Sequence, residues 1–522
     1  MAVEGVPEGG ACFSSSAGRS FPEPVAFPAA LGLAAATALL LDLSFPHPRQ
    51  AWLAWVALVP LLVACRHQGP WRGALLGLVM GAGFHGALLS WTTFFGPVAA
   101  VGLVLFKSLA PAVLGAALGA RPPGRPLAGS LFAALAWVAM EFAQTWGPLG
   151  ITWGMLSHSQ ARVPVLIQVG SLVGPWGLSF VLAFVNAAVA EWVVRAGPGF
   201  RRAPAGVRVA GPALAAAAGL VALVLAFGAW RLAHPPAPAG PPVAWGAVQV
   251  SMPQDVKWDP AFQQAVMGYL ETLSQEAARQ GARCIVWPET SIPFRGFLDD
   301  PLLVGEVGNL ARRLDADLVV GSIERAPRNA TFNTATWIEG EFGTPRGRYD
   351  KVRLVPFGEF LPWRDYLPPL PQLALVMNYA PGPGPTLLGP KGEEFAALIC
   401  YESMVPDLAR TQALQGARFL VIPTNDAWFG RSSAAAHHFE MAIMRAVETG
   451  RPTIQAGNTG ISGFITPTGQ VLQETALDQR CAVVASLAPV AELTPYCMVG
   501  DVLAWASLAG ALGMLVAGLR RA

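Results

Sequence analysis

The chain has 522 residues, 53% of them hydrophobic and only 13% charged, and its mean hydropathy is +0.44. Soluble domains carry roughly 25% charged residues, so an ordinary water-soluble globule is excluded. A formal net charge of +2 offers no basic field for a nucleic-acid partner, and six cysteines over this length do not make a disulfide framework.

Residues 1–25 lack a basic start and a small-residue cleavage site, and are read as an amino-terminal cytoplasmic segment rather than a removed signal peptide. A hydrocarbon core of ~30 Å takes about 20 helical residues. Apolar runs of that kind lie at about 26–44, 51–65, 73–93, 97–119, 127–146, 165–194 and 209–232, with one more at 499–518. Residues 26–234 are therefore expected to form a membrane domain of seven transmembrane helices, and 499–522 an eighth with a cytoplasmic tail. Arginines set the orientation. Arg66 and Arg72 follow the second run, Arg121 and Arg125 the fourth, Arg195, Arg201, Arg202 and Arg208 the sixth, and Arg520 and Arg521 the last. The alternate loops carry only Arg49 and Arg162. Residues 235–498 should thus lie across the membrane from the basic loops. A plain anchor is the bland reading of the helices, although seven exceed what tethering requires. His85, Lys107 and Glu141 are the main ionisable exceptions within the spans, and Glu141 and His158 are read as interfacial. The apolar loop 147–155 falls on the side of the soluble block, placed to line a lipid entrance.

A proline-rich linker, 235–242, opens the soluble block. Strand-like runs at 243–250, 284–287, 318–323, 395–400, 419–423 and 453–456 alternate with helical spacing such as Phe262, Val266, Leu270 and Leu273, and a hairpin closes at 463–471. That alternation predicts an α/β domain with sheets covered by helices. Glu289, Cys400 and Asp426 come at or just after strand ends, where open α/β sheets bind ligands. Trp287-Pro288-Glu289, Tyr349-Asp350-Lys351 and Cys400-Tyr401-Glu402 supply a carboxylate, an amine and a thiol. These groups can deprotonate, stabilise and attack in acyl transfer. Taken singly, each has a bland alternative: a buried small cysteine, as Cys284 is read, a solvated strand-end charge, or a loop lysine.

The wording around these stations carries more. Gln249-Val250-Ser251-Met252-Pro253-Gln254 is followed by Lys257-Trp258-Asp259-Pro260, Trp287-Pro288-Glu289-Thr290, and Lys351 with Leu354-Val355-Pro356-Phe357-Gly358-Glu359. Then come Ile399-Cys400-Tyr401-Glu402, Asn425-Asp426-Ala427-Trp428-Phe429-Gly430, Met444-Arg445-Ala446, and Leu493-Thr494-Pro495-Tyr496. The soluble half resembles the nitrilase (carbon–nitrogen hydrolase) superfamily, and the whole chain resembles the bacterial apolipoprotein N-acyltransferase family. His437-His438-Phe439-Glu440 departs from the expected wording.

The resemblance implies an αββα sandwich joined to a multi-span α-helical membrane domain. It implies Glu289, Lys351 and Cys400 as the catalytic triad, supported by Trp258, Glu359, Tyr401, Glu402, Asn425 and Trp428. The implied reaction moves a fatty acyl chain from a phospholipid, phosphatidylethanolamine being the expected donor, through a thioester on Cys400. The acceptor is the α-amino group of a diacylglyceryl-cysteine at the amino terminus of an apolipoprotein. No cofactor and no metal is implied, a monomer suffices, and residues 235–498 would lie on the periplasmic face of the inner membrane. A loop, Trp363 to Met377, is expected to wall the site and admit lipid. Two alternatives stay open: a membrane-tethered amidase using the same triad on a small amide, and a non-catalytic scaffold or transporter. A Cys481–Cys497 disulfide also stays open.

Overall fold

The computed structural model describes residues 24–121, 124–196, 204–366 and 378–520. The segment 1–23, Arg201, Arg202, Arg521 and positions 367–377 of the expected wall loop lie outside the described residues.

The amino-terminal half is helical: α1 (Phe27–Ser44), a 3-10 turn (Ala51–Trp55) running into α2 (Val59–Ala64), α3 (Pro70–Leu88), α4 (Pro97–Ala120) and α5 (Pro126–Ala143). Two single turns, α6 (Pro164–Ile167) and α7 (Gly170–Val173), precede α8 (Pro175–Ala196) and α9 (Pro204–Ala233). Helices α1 to α5 each carry proline in the first turn, where its missing N–H costs nothing. Among the described residues six helices are long and apolar enough to cross a membrane: α1, α4, α5, α8, the Gly211–Ala233 part of α9, and a last one, Val502–Leu519. The expected span at 165–194 is broken, because Gly174 takes φ 68° and Pro175 restarts the helix. Segment 51–64 is short, about 21 Å at 1.5 Å per residue. It nevertheless runs back along α1, since the Leu61 N–H donates to the Thr37 hydroxyl oxygen midway along α1 and Gln68, just past its end, donates to the Val25 carbonyl that precedes α1. Helices α3 and α4 meet backbone to backbone: a Cβ on Gly77 would lie 2.0 Å from the Pro111 oxygen, and one on Gly73 2.2 Å from that of Gly115. Small residues are what allow such an approach.

The second half holds two six-stranded sheets. One is ordered β12-β1-β2-β3-β4-β5, from β1 (Val243–Gln249), β2 (Cys284–Val286), β3 (Asp317–Arg325), β4 (Thr331–Glu339), β5 (Thr344–Asp350) and β12 (Cys481–Leu487). The other is β11-β10-β9-β8-β7-β6, from β6 (Leu387–Leu388), β7 (Phe395–Ala397), β8 (Phe419–Thr424), β9 (Thr453–Gly457), β10 (Gly463–Ile465) and β11 (Val471–Glu474). β1, β2 and β3 run parallel, as do β7, β8 and β9, and antiparallel strands flank both sets. Trp245, Val286, Val319, Phe395, Val421 and Ile454 fill the space between the sheets.

A short helix, α10 (Gln254–Lys257), follows β1, and α11 (Gln263–Arg279) and α12 (Pro301–Leu314) share a core with the outer face of the first sheet. The second sheet is covered by α13 (Pro406–Leu414) and α14 (Ala434–Thr449). The αββα expectation is met. All sixteen residues of α14 are buried, which a surface helix with one wet face never shows. The reason is that one core joins Leu398, Ile422, Met441 and Ile443 to Leu41, Phe84 and Leu156 of the helical half. A short α15 (Pro495–Val499) then leads to the last helix, α16 (Val502–Leu519).

Two expectations are corrected, and the open question of a Cys481–Cys497 disulfide is answered. Glu141 and His158 are 5% and 2% exposed rather than interfacial. The Glu141 carboxylate accepts from Trp137 Nε1 and the Leu156 N–H, because the 147–155 loop folds over the helix end. Cys481 and Cys497 are both free thiols. Cys400 does not end a strand: β7 stops at Ala397, and Cys400 opens a 3-10 turn through Met404.

Candidate active site

Four strand ends converge. The first sheet delivers Glu289 just beyond β2 and Lys351 directly after β5, while the second delivers Cys400 beyond β7 and Asn425 after β8. Cys400 sits at φ 52°, a left-handed conformation that a residue with a side chain rarely adopts. It is 8% exposed, Glu289 6% and Lys351 1%.

The Lys351 ammonium lies 3.2 Å from Glu289 Oε1 and 2.8 Å from Glu359 Oε1. Asn333 Nδ2 donates to the same two oxygens, at 2.7 and 3.1 Å. Glu289 Oε2 accepts the Asn425 N–H at 3.0 Å, and Glu359 Oε2 accepts the Val355 N–H at 2.8 Å. Burial works against the Lys351 cation, but the carboxylates of Glu289 and Glu359 outweigh it and hold the amine protonated, well above its ordinary range. Burial would likewise raise Glu289, yet the Lys351 charge and the Asn333 amide hold its carboxyl below the usual value. The Cys400 thiol goes the other way. Desolvation first, then the neighbouring Glu289 carboxylate, push it well above a free thiol, and Lys351 offsets this only in part. The resting site is therefore a neutral thiol beside an ionised carboxylate and a fixed ammonium, an arrangement that can deprotonate a thiol as it attacks and stabilise an oxyanion.

The other sequence-predicted residues fall around this centre. Glu402 is fully buried. Its Oε1 accepts the Tyr349 hydroxyl at 2.7 Å and the N–H groups of Val352 and Arg353 at 2.7 and 2.9 Å, and its Oε2 accepts the Ile399 N–H at 2.8 Å. It thereby ties the chain after Lys351 to the chain before Cys400. Tyr401 turns toward the helical half, its hydroxyl donating to the Gly150 carbonyl, and Thr152 donates back to the Met404 carbonyl at 2.6 Å. Trp428 meets Phe94 edge to face with ring centroids 5.9 Å apart. Trp258 packs with Ile323, Leu354 and Tyr379. The described part of the expected wall loop exposes Trp363 and Tyr366.

Residues outside that selection also belong here. Asn333 on β4 holds both carboxylates, and nothing in its strand context marks it. Lys257, 2% exposed, donates to the Glu289 carbonyl at 3.1 Å and the Thr290 hydroxyl at 2.7 Å; burial lowers its amine to about 7. Behind Cys400, His438 Nδ1 lies 2.9 Å from Asp426 Oδ1 and its Nε2 lies 3.1 Å from the Cys400 carbonyl oxygen. Among the described residues no group of three or more metal-ligating side chains comes together.

The αββα sandwich that carries this thiol, carboxylate and lysine, residues 246–491, matches the carbon-nitrogen hydrolase family. Here the sandwich is fused to a helical half, of which residues 37–188 match the apolipoprotein N-acyltransferase N-terminal domain. The apolipoprotein N-acyltransferase of Geobacter metallireducens is 34% identical over 505 residues, covering 94% of this chain and 95% of that one. That of Gloeobacter violaceus is 33% identical over 500 residues, covering 91% and 92%. Among solved structures, an amidase from Nesterenkonia sp. is 20% identical with a TM-score of 0.37, covering 48% of this chain and 92% of its own. The chain belongs to the apolipoprotein N-acyltransferase family.

Proposed function

We propose that the protein transfers a fatty acyl chain from a phospholipid to the α-amino group of a diacylglyceryl apolipoprotein, through a thioester on Cys400. The observation that carries this reading is the Glu289–Lys351 pair at 3.2 Å, set beside a buried thiol whose neighbour Tyr401 is bonded to the helical half. As Cys400 Sγ attacks the ester carbonyl, Glu289 takes its proton, and Lys351 with the Tyr401 N–H stabilises the oxyanion, a contribution of about 3 kcal/mol per donor. The C–O bond breaks, and Glu289 returns the proton to the leaving lysophospholipid oxygen. In the second half an amine with pKa of about 7.7–8.0 attacks the thioester. Glu289 takes a proton from that amine, the C–S bond breaks, and the sulfur is reprotonated.

Membrane attachment has a physical purpose in this scheme. Acyl chain in lipid is worth ~0.8 kcal/mol per CH₂, so withdrawing a long chain entirely would cost on the order of 12 kcal/mol. A site resting on the bilayer need raise only the ester. In this reading the 51–64 segment and α3 cross together with the five long apolar helices before residue 235, the last helix returns, and residues 235–498 lie on the periplasmic face of the inner membrane, with the basic loops inside. Phosphatidylethanolamine is the proposed donor, and a monomer carries every residue the scheme uses.

The test is to incubate full-length protein with phosphatidylethanolamine and analyse the peptide containing Cys400. A hydroxylamine-labile acyl mass, absent from a folded Cys400→Ala variant, is expected. Ammonia release from small amides with no acyl adduct would assign the site to an amidase instead.

A further inference from the structure

At the far end of the helical half, away from Cys400, three arginines gather around one carboxylate. Glu191 Oε2 lies 3.0 Å from Arg66 and 3.3 Å from Arg195. Glu191 is 15 residues along α8 from Trp176, whose indole is bonded to Asp501 at the catalytic end, so the cluster lies about 22 Å farther down that helix. Arg121 stands over the Phe132 ring at 5.4 Å, with no hydrogen-bond or ion-pair partner among the described residues. Its guanidinium and Glu191 Oε1 occupy the space that a Cβ on Gly129 would need, at 2.9 and 2.6 Å. Arg195 Nε is buried and likewise unpartnered. Arg66, Arg121, Gly129 and Glu191, with Leu118 and Ala187, line a cavity of about 60 Å³.

Three guanidiniums against one carboxylate leave two positive charges uncompensated, while Arg66, Arg195 and Glu191 are only 13–17% exposed. Charge held away from water is ordinarily paired. Loop arginines that merely set orientation need only be somewhere in the loop; these come from the ends of three helices, Arg66 and Arg121 lining one hollow and Arg195 bonded to the Glu191 that lines it, with one fork left open. Guanidinium forks match phosphate oxygens two at a time, and basic pockets between membrane helices hold anionic headgroups.

We propose that this cavity binds the phosphate of an anionic phospholipid in the leaflet opposite the catalytic domain, with Arg121 and Arg66 as its principal contacts. The site is separate from the one that handles the acyl donor, and its occupancy ties the ends of α2, α4 and α8 together.

The experiment is native mass spectrometry of the full-length protein, delipidated in detergent and titrated with phosphatidylglycerol, phosphatidylcholine or inorganic phosphate. One phosphatidylglycerol should be retained at concentrations where phosphatidylcholine is not. Arg121→Gln breaks no ion pair, so it should fold, and it should weaken retention about tenfold or more. Gly129→Val, which keeps every arginine but fills the hollow, should do the same, with thioester formation on Cys400 as the check that each variant is folded. Equal retention of both lipids, or unchanged retention in either folded variant, would overturn the proposal. Displacement of phosphatidylglycerol by equimolar inorganic phosphate would overturn the lipid assignment and leave a free-anion site.

Discussion

Replacing Glu402 by glutamine tests whether this carboxylate holds the site together rather than taking part in the chemistry. It accepts four hydrogen bonds, from Tyr349, Val352, Arg353 and Ile399, all at 2.7–2.9 Å. The amide keeps an acceptor on one arm only, so its NH₂ group must face at least one of the four donors. One charge-assisted bond worth about 1.5–3 kcal/mol is lost, and the other three weaken toward neutral strength, for a total of roughly 3–5 kcal/mol. Those donors sit one or two residues from Lys351 and Cys400. Relaxation of the loops therefore moves the ammonium relative to the thiol, and a 1 Å misplacement costs about 10²-fold in rate. Single-turnover thioester formation from phosphatidylethanolamine should fall by about that factor, with a lower melting temperature. Tyr349→Phe removes one donor and leaves the three backbone bonds, so it should cost less than tenfold, about 1 kcal/mol. Acylation within threefold of the parent and an unchanged melting temperature in Glu402→Gln would refute the clamp.

Asn333→Leu removes a donor that holds the Glu289 carboxyl low. A carboxylate base works above its pKa and is lost as pH falls through it, so the acid limb of kcat/KM should move up by about one pH unit; an unmoved limb would count against the assignment. With the Cys400 thiol raised well above a free thiol, iodoacetamide labelling should climb about tenfold per unit from about pH 7 to 9, and a plateau below pH 8 would contradict it. Arg445→Leu strands Glu448 where both side chains are fully buried, a loss of about 3–5 kcal/mol. Arg445→Leu with Glu448→Leu should recover part of the melting temperature; a double variant no more stable than the single would show that the stranded charge is not the cause.

What was legible in the sequence follows from what a pattern can encode. Central strands such as β2, β3 and β8 announced themselves as apolar runs because both faces are covered. Strand β5, Thr344–Asp350, hid because it is a polar, largely exposed edge. Asn333 was unreadable for another reason: it is buried on the interior strand β4, but it is a short amide among threonines, with no apolar pattern to mark it. Its place beside Glu289 and Glu359 exists only through the register that pairs Thr334 with Asp350 and lets Lys351 N–H reach the Asn333 carbonyl. Glu289, Lys351 and Cys400 were singled out by their wording, but that the fold brings them together was not legible. Hydropathy also measured Glu141 by its distance from a span's end, while its burial is decided by a loop that returns over it. Gly174-Pro175 did spell a break in the sixth apolar run, which a hydropathy average smooths away.

Helix α14, enclosed on every side, makes the two halves of the chain inseparable. A soluble fragment cut at the proline-rich linker would bare the flank of that helix and the residues beneath it, inviting aggregation in water. Any attempt to engineer the hydrolase half as a free-standing reagent must first redesign that flank with polar side chains.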